Sequence, residues 1–80
     1  MVHLCLDFVN DGIVQYRFYP ENQKEDFGIV QVHIKTRKRV CLKDVASSKY
    51  YNWYKAHAWQ AIDDYIDENR FPEHDTIVWY

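Results

Sequence analysis

The densest charge in the chain lies between Lys35 and Arg39, where Lys35, Arg37, Lys38 and Arg39 surround a single threonine. Lys43, Lys49 and Lys55 follow, interleaved with Tyr50, Tyr51, Trp53 and Tyr54. Cations contact phosphates, and aromatic rings stack on unpaired bases at about 1–3 kcal/mol per base. Lys35, Arg37, Lys38 and Arg39 are therefore candidate nucleic-acid contacts. A solvated turn leading into a helix explains the same residues, because Tyr50, Tyr51 and Tyr54 fall on one helical face.

The opposite charge collects further on, in Asp63, Asp64, Asp67 and Glu68, near the end of a segment whose first half holds Lys49 and Lys55. A helix dipole favours the reverse arrangement. Asp63 with Asp67 and Asp64 with Glu68 are also like charges one turn apart. Such a pattern calls for a compensating partner. It is either the Arg37–Arg39 turn folding back or a second molecule. Trp59 stands off the aromatic face of this helix beside small residues, and tryptophan is enriched where proteins bind one another. Trp53, Trp59, Phe71 and Trp79, with Asp63 and Asp67, are accordingly the candidate protein-contact residues.

Metal and catalytic chemistry have weaker signals. His3, His33, His57 and His74 with Cys5 and Cys41 supply ligand types, but no Cys-x-x-Cys or His-x-x-x-His spacing joins them. A metal-binding domain is thus the third reading, and no metal or other cofactor is expected. Only two glycines are present, so there is no phosphate loop, and there is no Gly-x-Ser-x-Gly elbow. Ser47 and Ser48 read as helix caps. A Cys41–His57 pair lacks a local signature. Asp63 and Asp67 lie on a wet face where nothing raises a carboxylate pKa. The chain is expected not to be an enzyme.

The elements that must position these residues belong to a chain of 80 residues, 48% hydrophobic and 18% aromatic, with net charge −2. That length holds one small domain, residues 1–80, and the composition excludes disorder. Two cysteines make no disulfide framework, no leader is visible at the start, and no run of about 18 apolar residues could span a membrane. A cytoplasmic location with reduced thiols is expected.

Leu4, Leu6 and Phe8 alternate with polar residues, as do Val14, Tyr16 and Phe18. Asp11-Gly12 between these runs signals a tight hairpin. Phe27 to Thr36 reads as a third strand, with Gly28 marking a bulge or close approach. Val40 to Leu42 is a short fourth strand or a continuation of the third. From about Lys49 to Asn69 the period becomes helical, with Asp44, Ser47 and Ser48 as caps. Pro72 to Asp75 reads as a loop and Thr76 to Tyr80 as a last strand.

The expected architecture is α+β in two layers, with an antiparallel sheet in the order β-β-β-α-β packed on one long amphipathic helix. Its core should hold Leu4, Leu6, Phe8, Val14, Tyr16, Phe18, Val30, Val32, Ile34, Tyr54, Ala58, Ala61, Ile62 and Tyr65. No segment matches a family motif. The element order alone resembles that of small antitoxin domains and of the three-strand-plus-helix DNA-binding domains of phage integrases. The leading functional reading is a non-enzymatic protein-interaction module, with self-association as one form of it. A nucleic-acid-binding regulatory domain is the rival.

Overall fold

The computed structural model describes residues 1–21, 24–46 and 51–79, with helix side chains from residue 53 onward. Among these residues five strands and one helix are formed: β1 (Val2–Asn10), β2 (Ile13–Pro20), β3 (Gly28–His33), β4 (Arg39–Lys43), α1 (Tyr51–Glu68) and β5 (His74–Ile77). They build a five-stranded sheet of order β4-β3-β2-β1-β5. Every neighbouring pair is antiparallel. The helix covers one face.

Asp11 and Gly12 both adopt positive φ, 52° and 76°, as a two-residue hairpin turn requires, and Asn10 pairs with Ile13 across it. Of the two readings of Val40 to Leu42, the fourth strand is the one formed: Arg39–Lys43 pairs antiparallel with β3. Arg37 adopts φ 60°, its N–H bonds to His33 O at 2.7 Å, and His33 N–H bonds to Lys38 O at 3.0 Å. That turn reverses the chain, so the element order is β-β-β-β-α-β. The extra strand departs from the three-strand-plus-helix order.

The helix buries Tyr54, Ala58, Ala61, Ile62 and Tyr65, a stripe at the spacing of one helical face. They meet Val2, Leu4, Val14, Tyr16, Phe18, Val30 and Val32 from the sheet and Val45 from the connection before the helix. Leu6 and Ile34 are half-buried at the edge of this core. The helix ends in a Schellman motif. Asn69 takes φ 53°, Asn69 N–H bonds to Ile66 O at 3.1 Å, and Arg70 N–H bonds to Tyr65 O at 3.0 Å. At the other end, Ser47, Ser48, Lys49 and Tyr50 lie outside the described residues. Asp44 accepts Val45 N–H at 3.0 Å and Lys55 Nζ at 2.8 Å.

Phe8 is not in the core and is 40% exposed. Leu6 pairs with Tyr16, but Phe8 pairs with Gln15, so one extra residue enters β1 at Asp7. A bulge of this kind inverts the faces beyond it. Phe8 therefore points to the uncovered side while Leu6 points to the helix. The last strand also starts earlier than expected. His74 and Asp75 belong to β5, paired with Cys5 and Leu4, whereas Val78 and Trp79 follow the strand and Tyr80 lies outside the described residues.

Candidate functional site

The basic turn and the acidic helix end meet. The helix runs from the end of the sheet where β1 begins toward the end where β3 turns into β4, which brings Asp63 and Asp67 beside that turn. Arg37 reaches Asp67 Oδ1 at 2.6 Å and Asp63 Oδ1 at 3.7 Å, while Arg39 reaches Asp63 Oδ2 at 2.8 Å. The side-chain hydrogen bond to Asp67 raises the Arg37 pKa above its ordinary value. Two of the four cations of the turn and two of the four carboxylates thus compensate one another. Lys35 and Lys38 remain exposed.

The candidate protein-contact aromatics divide. Trp59, Phe71 and Trp79 are half-buried against the core. Arg39 and Lys55 each place a cation 5.9 Å from the Trp59 ring, and its indole nitrogen is buried without a hydrogen-bond partner among the described residues. Trp79 stacks on His57 with centroids 3.8 Å apart and meets Tyr54 edge-on at 5.8 Å. Trp53 differs: it is 62% exposed. With Glu21, Tyr54 and Trp79 it walls a hollow of about 260 Å³, and Val78 beyond β5 is 56% exposed.

The sheet face away from the helix is polar and internally bonded. Asp7 accepts Arg17 Nε at 2.8 Å and Gln15 Nε2 at 3.0 Å, and Gln31 donates to Gln15 Oε1 at 2.7 Å. Arg17 also donates to Tyr19 Oη at 2.9 Å. Tyr19 and Phe27 pack with centroids 5.3 Å apart, and Lys43 lies over Phe27 and bonds its carbonyl. Trp79 is not part of this patch.

On the same face, beside β5, three ligand-type side chains gather that the sequence does not place together. The ligating atoms of His3, Cys5 and His74 all lie within 4.8 Å of one another. His3 and Cys5 are two residues apart on β1. Alternation puts those two on one side of a strand, but His74 reads as a loop residue. Only the β1–β5 register, which sets His74 directly opposite Cys5, brings it in.

Cys41 lies on the helix side. Its Sγ donates to Lys43 O at 3.5 Å, and burial together with the Asp44 charge pushes the thiol pKa up. That favours the protonated form, the opposite of what a nucleophile needs. Beneath the helix, Tyr16 Oη donates to Pro72 O at 2.6 Å and Tyr65 Oη donates to Asp75 Oδ2 at 2.5 Å. Burial raises both phenol pKa values well above the ordinary 10.

No helix among the described residues is long and apolar enough to cross a membrane. Comparison with protein-family models, with curated proteins and with solved structures finds no match to this chain.

Proposed function

We propose that this chain is a non-enzymatic protein-interaction module whose contact surface lies at the end of the sheet where the helix begins. The observation that carries the reading is Trp53, left 62% exposed while Trp59, Phe71 and Trp79 pack against the core. An indole on the rim of a hollow is an arrangement that a partner's side chain completes, and tryptophan anchors are among the costliest interface residues to remove. Val78, which follows β5 at the same end of the sheet, is also exposed. Asp63 and Asp67 are engaged by Arg37 and Arg39 and contribute to the shape of the domain more than to a partner. The same pairing weakens the nucleic-acid reading, because it engages Arg37 and Arg39 and leaves Lys35 and Lys38 as the cations of the turn without an ion pair among the described residues.

A second copy is the partner that is directly accessible to experiment. Sedimentation equilibrium across concentration should show a mass rising above the 9.8 kDa of one chain. Trp53→Ser should hold the mass at that of one chain. A wild-type chain that stays monomeric at every concentration, at low and high salt, removes the self-associating form.

A further inference from the structure

The uncovered face of the sheet holds a cluster with a different chemistry from the Trp53 surface. His3 and Cys5 point to that face because alternate residues of a strand share a side. The antiparallel register sets His74 opposite Cys5 and Thr76 opposite His3. Cys5 Sγ lies 3.4 Å from His74 Nδ1. The rings of His3 and His74 stack with centroids 5.8 Å apart and planes 21° apart. His3 Nδ1 shares a hydrogen bond with Thr76 Oγ1 at 2.9 Å.

We propose that His3, Cys5 and His74 form a zinc(II) site bridging β1 and β5, with a fourth coordination position open toward solvent. One thiolate and two imidazoles suit a borderline-soft ion with tetrahedral preference. Zinc bonds of about 2.0–2.1 Å to nitrogen and about 2.3 Å to sulfur set neighbouring ligand atoms roughly 3.3–3.6 Å apart. The Cys5–His74 separation already has that value, and all three ligand atoms lie within 4.8 Å. A contraction of at most about 1.5 Å, within reach of side-chain rotation, closes the site.

Thr76 supplies the outer support that metal-bound histidines ordinarily have, fixing the ring of His3 through Nδ1. Three protein ligands and an open position are the arrangement of zinc sites that bind an exogenous molecule rather than serve structure alone. Here His3 and Cys5 line a hollow of about 570 Å³ that also holds Glu21, Lys24 and Tyr19. The hollow has room for a small molecule with a donor atom for the metal. The ion would also tie the four-residue edge strand β5 to β1, which pair at four positions.

The test is a titration of the reduced, chelator-stripped full chain with cobalt(II) as a spectroscopic stand-in, followed by displacement with zinc(II). One equivalent of cobalt should produce thiolate-to-metal charge-transfer absorption and the intense visible bands of tetrahedral cobalt, and zinc should abolish both. Cys5→Ser should eliminate the charge-transfer band, and Cys41→Ser should retain it. Removing outer support from a metal-bound histidine costs about 10–100-fold in affinity. Thr76→Val should fall in that range, and His74→Ala should lose more. Circular dichroism of the metal-free variants checks the fold; if Cys5→Ser does not fold, His3→Ala tests the same site through loss of affinity. A wild-type chain that develops no charge-transfer band, or a band that survives Cys5→Ser, overturns the proposal.

Discussion

Gly28→Ala is the sharpest probe of how the sheet and helix fit. Gly28 is buried and pairs with Phe18 across β2 and β3. A Cβ built there would overlap two carbons of the Phe18 ring and lie 2.9 Å from Lys43 O. Carbon atoms pack at about 3.5–4.0 Å, so the ring must withdraw by more than about 1 Å. It has nowhere to go, because Phe18 is 0% exposed and sits within the core. Overpacking of this kind costs about 1–3 kcal/mol, and displacing the ring forfeits part of the roughly 1.5–3 kcal/mol of its burial. Replacing a strand glycine returns about 0.5–1 kcal/mol of backbone entropy.

The net expectation is a loss of about 2–4 kcal/mol, from a total of roughly 4–12 kcal/mol for a chain of this length. At about 4–8 °C per kcal/mol, Tm should fall by roughly 8–30 °C. Urea unfolding followed by circular dichroism gives the free energy, and calorimetry gives Tm. Phe18→Leu in the same chain should relieve the overlap, so the double variant should be more stable than the sum of the singles by at least about 1 kcal/mol. A Gly28→Ala loss below about 0.5 kcal/mol, or strictly additive variants, would refute the close approach of ring and backbone.

Two further outcomes follow from the core. Tyr16 and Tyr65 have phenol pKa values raised by burial above the ordinary 10. Above about pH 10 the unfolded chain therefore releases two protons that the folded chain keeps, and stability falls as pH rises, by about 1.4 kcal/mol per pH unit for each group. Below about pH 9 these two groups contribute no slope. Urea midpoints across alkaline pH should show the decline, and Tyr65→Phe should make it shallower. The bulge at Asp7 predicts that Phe8→Ser changes stability by less than about 1 kcal/mol, whereas Leu4→Ala, in the same strand but 0% exposed, costs about 2–5 kcal/mol. Equal losses in chemical unfolding would mean that Phe8 faces the core.

Much of the fold was legible because it follows local rules. Alternation placed Leu4, Val14, Tyr16, Phe18, Val30 and Val32 on one face, Asp11-Gly12 marked the hairpin, and helical spacing marked Tyr54, Ala58, Ala61, Ile62 and Tyr65. What failed depends on pairing. A bulge is defined by the partner strand, so alternation ran straight through Asp7 and carried Phe8 to the wrong face. The basic turn itself was legible, but whether Val40 to Leu42 continued the third strand or paired back as a fourth was not, and the left-handed Arg37 with the β3–β4 pairing decides it. The meeting of Arg37 and Arg39 with Asp63 and Asp67 was one of two arrangements the charges allowed. The direction of the helix across the sheet selected it.

Periodicity, turn chemistry and the helix stop acted over a few residues, so the sequence alone determined the α+β class, the long helix and most of the core. The gathering of His3, Cys5 and His74 was decided elsewhere. Those side chains lie on strands separated by nearly the whole chain, and no local rule ranks one strand order or register above another. Burial of Val2, Leu4 and the helix stripe selected β5 as the neighbour of β1, and hydrogen-bond register then set His74 against Cys5. The same packing drew Trp59, Phe71 and Trp79 against the core and left Trp53 in water.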